Sequence, residues 1–126
     1  MPDNLESIRR RVPFLNQIKG FLAPEEGEAL YRAGYACGSL GRPCLEIGGY
    51  CGLSTVYLGL GVSDAGGILF SIDHHCGSEE HQPGEGFHDP DLYDTETGRM
   101  DSFREFRNTV KQAGLRDSVV PIVANS

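Results

Sequence analysis

The 126-residue sequence has no tryptophan and no apolar run near the roughly 18 residues that a membrane span requires. It is also short of positive charge, because 11 lysines and arginines stand against 18 acidic residues, for a net charge of −7. So acidic a chain is not expected to bind nucleic acid or an anionic membrane. Its start carries the charges of Asp3 and Glu6 and no apolar signal region, which predicts a cytoplasmic protein.

Cysteine pairs of the C-x-x-C kind are absent as well. The four cysteines stand at Cys37, Cys44, Cys51 and Cys76. The equal spacing of the first three crosses a predicted helix, strand and loop, so they do not share a face that could ligate a metal. We expect reduced thiols, as in most cytoplasmic proteins.

What the sequence does contain is a glycine-rich stretch at residues 42–55, RPCLEIGGYCGLST. Leu45 and Ile47 predict a short buried strand, and Ser54 is expected to cap the helix that follows. The turn between them is built from three glycines, at Gly48, Gly49 and Gly52. Their small size lets a ligand approach the backbone, and the free N–H groups of the helix face the turn. This arrangement is typical of a nucleotide site.

The ligand is not expected to be a pyrophosphate. Tyr50 takes the place of the middle glycine of the dinucleotide fingerprint, and Leu53 takes the place of the P-loop lysine. Glu46, at the end of the strand, would repel phosphates but suits a ligand that carries an amine and a positive charge. S-adenosylmethionine has both and no phosphate. The alternative is a tight turn that holds no ligand.

Three segments resemble known methyltransferases. LEIGGYCGLS is similar to motif I of the class I S-adenosylmethionine-dependent methyltransferases and to the corresponding loop of catechol O-methyltransferase. GFLAPEEGEALY resembles the helix before motif I in the methyltransferase domain 24 family. HH-x-G-S-E-E-H-Q-P-G, with the later F-R-x-T and A-G-L, resembles uncharacterised class I members. The resemblance covers the chain from Gly20 onward. It implies S-adenosylmethionine as the cofactor and O-methylation of a small molecule.

A second apolar strand, over residues 68–72, ends in Asp73, about 20 residues beyond the glycine turn. An acid there can accept hydrogen bonds from both ribose hydroxyls, and it resembles the ribose-binding acid of this class. The alternative is a solvated carboxylate at a strand end. The resemblance also implies that the residues after the third strand contact the adenine. The predicted cofactor-binding residues are Glu46, Gly48, Gly49, Tyr50, Gly52, Ser54, Asp73, Asn125 and Ser126.

Residues 74–99 form a long polar segment, which predicts a lid over the cofactor or the acceptor. It contains every histidine of the chain, and one of them is expected to carry a proton near neutral pH. The candidate catalytic bases are His74, His75, His81 and His88, and the sequence does not choose among them. A site for Zn, Fe or Mn is the alternative, but the histidine spacing matches no zinc-binding register, so no metal is predicted.

Taken together, the patterns predict an α/β chain with helices in residues 4–22, from Pro24 to about Gly41, after the glycine turn, and over 100–113. A third strand, residues 119–123, is expected at a sheet edge because of Pro121. The strand order is predicted as 3-2-1 with right-handed crossovers.

The resemblance implies a Rossmann-like, three-layer α/β/α fold that is truncated after its third strand. We therefore expect one partial domain, 1–126, with N-terminal helices in 1–41 and the cofactor-binding half of a methyltransferase domain in 42–126. The bare edge of the first strand predicts association into a homo-oligomer. A non-catalytic module that binds S-adenosylmethionine or a nucleotide is the alternative function.

Overall fold

The computed structural model describes residues 4–125, apart from the side chain of Glu80, and forms an α/β chain with one main sheet. The helices are α1 (Leu5–Arg11), α2 (Pro24–Ser39), α3 (Leu53–Asp64) and α4 (Phe103–Gln112). The strands are β1 (Cys44–Ile47), β2 (Leu69–Asp73), β3 (Tyr93–Asp94), β4 (Arg99–Met100) and β5 (Val119–Val123). Short 3₁₀ turns occupy Leu15–Gln17, Glu79–His81 and Pro90–Leu92. No helix in the described part of the chain is both long and apolar enough to cross a membrane.

The main sheet is parallel and has the order β1-β2-β5, which confirms the predicted order 3-2-1. Ile47 pairs with Ile72, and Asp73 pairs with Val123, so the three strands end at the same edge. Pro121 lies in β5, an outer strand, where a missing backbone N–H is tolerated. The strands β3 and β4 form a separate antiparallel hairpin within the polar segment.

The two faces of the main sheet differ in burial. One face packs against the helices, and it buries Cys44, Glu46, Leu69, Ser71 and Val119. On the other face Leu45 and Ile47 are 59% and 63% exposed. The prediction that these two residues are buried is therefore wrong for residues 4–125. The reason is that the helical core lies on the opposite side of β1, where alternation of side chains along a strand sends Glu46 instead.

Glycines let α2 and α3 pack with their backbones in contact. A Cβ atom on Gly61 would lie 2.0 Å from the carbonyl oxygen of Tyr31, and one on Gly34 would lie 2.4 Å from that of Leu58. A Cβ atom on Gly27 would likewise lie 2.5 Å from the ring of Tyr57. This close approach accounts for several of the 17 glycines and fixes α3, whose first turn follows the glycine turn.

Several predicted boundaries need correction. The predicted lead helix over residues 4–22 is only α1, which ends at Arg11, shortly before Pro13. Proline has no N–H to continue the helix. The helix predicted from residue 100 begins at Phe103, because Met100 pairs with Tyr93 in the hairpin.

The expectation of four reduced thiols is wrong for one pair. Cys37, near the end of α2, and Cys44, at the start of β1, form a disulfide with their Cα atoms 6.4 Å apart. The short connection between the two elements brings both side chains together. Cys51 and Cys76 are free thiols, as predicted.

Candidate functional site

The glycine turn joins the end of β1 to the start of α3. Gly48 and Gly52 adopt positive φ angles of 90° and 98°, and Tyr50 adopts 49°. Such angles favour glycine at the first two positions. The helix begins at Leu53, with Gly52 as its N-cap and no side chain on its free N–H groups. Ser54 is not the cap, contrary to prediction. Its hydroxyl donates instead to Oε2 of Glu46, at 2.7 Å.

Glu46 lies beneath the turn, on the helix-covered face of the sheet. It is 9% exposed, and its carboxylate accepts hydrogen bonds from three hydroxyls, those of Ser54, Thr55 and Ser71. These bonds connect β1 with the first turn of α3 and with β2. A buried carboxylate of this kind holds the turn in place and produces a negative electrostatic potential around it.

Asp73 stands beside the turn at the end of β2, where the sequence predicts it. Its Oδ2 accepts a hydrogen bond from the backbone N–H of Tyr50, and its Oδ1 accepts one from the N–H of His75, both at 2.9 Å. Each carboxylate oxygen has a second lone pair, so Asp73 can still accept hydrogen bonds from a ligand.

Only one of the three turn glycines borders open space. A Cβ atom on Gly48 would meet nothing within 4 Å. On Gly49 it would lie 2.6 Å from Oγ of Ser71, and on Gly52 it would lie 2.9 Å from Cγ2 of Thr109. A cavity of about 160 Å³ adjoins Gly48 and the start of α3. Its lining residues are Lys19, Gly20, Phe21, Leu22, Gly48, Gly49, Tyr50, Leu53 and Ser54.

A larger groove, of about 500 Å³, shares Tyr50 and the segment 19–21 with this cavity. Its walls carry an exposed aromatic pair, Phe21 and Phe87, whose rings meet edge to face at 5.4 Å. Lys19 crosses from one wall to the other and forms ion pairs with Asp89 and Asp91. The hydrogen bond with Asp89 raises the pKa of Lys19, and the same bond lowers the pKa of Asp89. The sequence alone does not reveal these groove residues. The residues that contact them are about 70 positions away along the chain, and no local pattern signals such pairs.

Of the four candidate histidines, two lie beside the groove. The ring of His81 stacks on the ring of Tyr50 with centroids 5.3 Å apart. His88 lines the groove, and its Nδ1 lies 3.0 Å from the carbonyl oxygen of His81. These two histidines therefore lie beside Tyr50 and the groove.

The other two histidines have local roles. His75 is 2% exposed, its Nδ1 lies 2.7 Å from Oγ of Ser102, and burial lowers its pKa. Its Nε2 is buried without a hydrogen-bond partner in the part of the chain that the structure describes. His74 is exposed, and its Nδ1 accepts a hydrogen bond from the N–H of Cys76.

The polar segment 74–99 is held against the glycine turn. Leu92, just before β3, and Met100, in β4, are buried together with Cys51 of the turn. Burial raises the pKa of Cys51 to about 12, so its thiol stays protonated at neutral pH. The segment is thus an ordered cover on the turn, and the hairpin within it was not predicted.

The end of β5 reaches the same edge as Asp73. The N–H of Ala124 donates to the backbone carbonyl of Asp73 at 3.1 Å, which places the exposed Asn125 next to that strand end. The predicted site residue Ser126 lies outside the described residues. Among residues 4–125 no group of three or more His, Cys, Asp or Glu side chains is arranged to hold a metal ion.

No protein-family model matches this chain. Two solved structures share its fold. One is the cofactor-bound protein Rv0187 from MTB, at 18% identity and a TM-score of 0.53, with 94% of this chain and 42% of that chain covered. The other is an O-methyltransferase from Bacillus cereus in complex with SAH, at 23% identity and a TM-score of 0.52, with 97% and 44% covered. The chain thus spans less than half the length of either structure. It has the Rossmann-like fold of the class I methyltransferases.

Proposed function

We propose that this chain binds S-adenosylmethionine and forms the cofactor-binding part of a methyltransferase that acts on an oxygen of a small molecule. One observation supports this most. The open side of Gly48, the uncapped start of α3 and the carboxylate of Asp73 lie together at one edge of the sheet. Parallel α/β sheets bind their ligands at this edge.

The residues present suit this cofactor. The free N–H groups at the start of α3 would hold the carboxylate of its methionine part, and Asp73 would accept hydrogen bonds from the ribose hydroxyls. Asn125 would contact the adenine. The buried charge of Glu46 disfavours a phosphate at the turn and favours a cation there. When bound, S-adenosylmethionine supplies an electrophilic methyl group on its sulfonium.

The groove beside the turn is the proposed acceptor side. Phe21, Tyr50 and Phe87 offer ring surface to a small molecule, which positions it for an in-line attack. A histidine would take the proton of the attacking hydroxyl. His81 and His88 are the candidates, because the ring of His81 stacks on Tyr50 and His88 lines the groove.

Calorimetric titration of the chain with S-adenosylhomocysteine, NAD and ATP tests the cofactor. We expect only the first to bind. Asp73→Ala should weaken its binding by about 1.5–3 kcal/mol, the value for a hydrogen bond to a charged acceptor. Asp117→Ala, which removes an exposed carboxylate elsewhere, is the matched control and should change nothing. Tighter binding of NAD, or equal effects of the two variants, would refute the assignment.

A non-catalytic binding module is the second candidate. It is favoured by the open side of Gly48 and the carboxylate of Asp73, which suit cofactor binding whether or not a methyl group is transferred. Methyl transfer to a panel of hydroxylated acceptors separates the two functions. Turnover that is lost in His81→Gln or His88→Gln, with cofactor affinity retained, supports the enzyme. Cofactor binding without any turnover supports the module.

A further inference from the structure

A second concave site lies between α4 and β5. This cleft, of about 480 Å³, shares no lining residue with the cavity at Gly48 or with the aromatic groove. Four of its nine lining residues are cations: Arg104, Arg107, Lys111 and Arg116. In a chain whose net charge is −7, this is a local reversal of sign.

The cleft cations lack the counter-charge that four of the seven other basic residues have. Elsewhere Arg10, Arg11, Lys19 and Arg32 each form an ion pair with a carboxylate. None of the four cleft residues has such a partner among residues 4–125, and all four are exposed. Arg107 is held in place by its own helix, with its guanidinium 5.7 Å from the ring centre of Phe103. Like charges that face one cleft repel each other until an anion binds.

The spacing of the cations indicates the size of that anion. Arg104, Arg107 and Lys111 follow each other at intervals of three and four residues, so they lie along one side of α4. They extend over about 10 Å of the helix axis. Arg116, beyond the end of the helix, lines the same cleft together with Val119 and Pro121 of β5. A chain of phosphates matches this extent better than a single phosphate does.

We propose that this cleft binds a small molecule that carries two or more linked phosphate groups. Arginine forks match phosphate oxygens in a bidentate way, and the volume lies in the range of small-molecule sites. The ligand is compact, because the net negative charge of the chain repels a long polyanion that extends beyond the cleft. This site is separate from the proposed methyltransferase function and does not depend on it.

The test is calorimetric titration of the whole chain with tripolyphosphate, in metal-free buffer at low salt. We expect Arg104→Gln with Arg107→Gln to weaken binding at least tenfold. Arg9→Gln with Arg10→Gln removes the same charge from α1 and should weaken it less than twofold. The single variant Lys111→Gln gives a second measurement with a smaller change in the helix. Urea unfolding checks that each variant is folded.

Four results would overturn the proposal. They are the absence of binding, equal losses in the two double variants, equal affinity for orthophosphate, and tighter binding of a DNA duplex than of tripolyphosphate. We also expect saturation with S-adenosylhomocysteine to leave the tripolyphosphate affinity unchanged. Competition between the two would place the anion at the glycine turn and refute a separate site. Because tripolyphosphate is titrated without the cofactor, a negative result leaves the proposed function standing.

Discussion

On strand β1, Glu46 is 9% exposed, whereas its neighbours Leu45 and Ile47 are 59% and 63% exposed. At these three positions of β1 the usual distribution is thus reversed, with a carboxylate inside and two aliphatic side chains outside. The difference lies in what each face meets. Glu46 meets three hydroxyls and the first turn of α3, while the other face meets solvent in residues 4–125.

The two faces therefore have different roles: the covered face stabilises the chain, and the other face leaves apolar side chains exposed. The covered face holds the core and fixes the glycine turn through Glu46 and the close packing of α2 on α3. The exposed face carries further apolar residues, among them Val120 and Ile122. Contiguous exposed apolar surface of this kind promotes association. We therefore expect substitutions on the covered face mainly to lower stability, and substitutions on the exposed face mainly to lower self-association.

The largest effect is expected between α2 and α3. Gly61→Ala places a Cβ atom 2.0 Å from the Tyr31 carbonyl, and backbone atoms cannot move aside separately. The helices must separate, which should lower the free energy of unfolding by about 3 kcal/mol or more. Gly86→Ala is the control, because nothing lies within 4 Å of that position. Equal urea midpoints for both variants would contradict the packing described here.

A smaller effect, and one that contrasts the two faces directly, is expected within β1. Glu46→Ala leaves the buried hydroxyls of Thr55 and Ser71 without their acceptor and should cost about 2–3 kcal/mol of unfolding free energy. Ile47→Thr keeps a β-branched side chain on the exposed face and should cost under about 1 kcal/mol. It should also reduce self-association in sedimentation velocity. A greater loss of stability for Ile47→Thr than for Glu46→Ala would contradict the roles assigned to the two faces.

The smallest effect concerns how the free energy of unfolding falls at acidic pH. The hydrogen bond from Arg11 lowers the pKa of Asp64 below its ordinary value of 3.8. This contribution is present above the unfolded pKa and is lost as the pH falls through the folded pKa. The pair is partly exposed, so it is worth less than about 1 kcal/mol. In urea unfolding, Asp64→Asn should remove this part of the decline in unfolding free energy below pH 4. The same decline in the variant as in the unsubstituted chain would contradict this prediction.

Local patterns were sufficient to predict the three strands of the main sheet, the glycine turn and the strand order. The run around Leu45 and Ile47, the strand that ends in Asp73 and the edge proline Pro121 each carry their signal within a few residues. The same patterns could not assign the faces. An apolar run predicts burial, but which side of the strand is buried depends on where distant helices pack.

Parts of the site were also beyond local patterns. The role of Ser54 changed from helix cap to partner of Glu46, because a buried carboxylate competes for its hydroxyl. The ion pairs of Lys19 and the contact between Phe21 and Phe87 join segments about 70 residues apart. The cations of α4 stand at helical spacing in the sequence, but the cleft they line requires β5. Long-range packing decides all three.

The central claim is that the glycine turn and the end of β2 form the cofactor site. It is tested most directly by amide NMR spectra of the chain during titration with S-adenosylhomocysteine. The account predicts the largest shifts for Gly48, Tyr50 and Asp73, and none for Lys111 in the basic cleft. Shifts centred on α4, or spread over the exposed sheet face without change at Gly48, would contradict it.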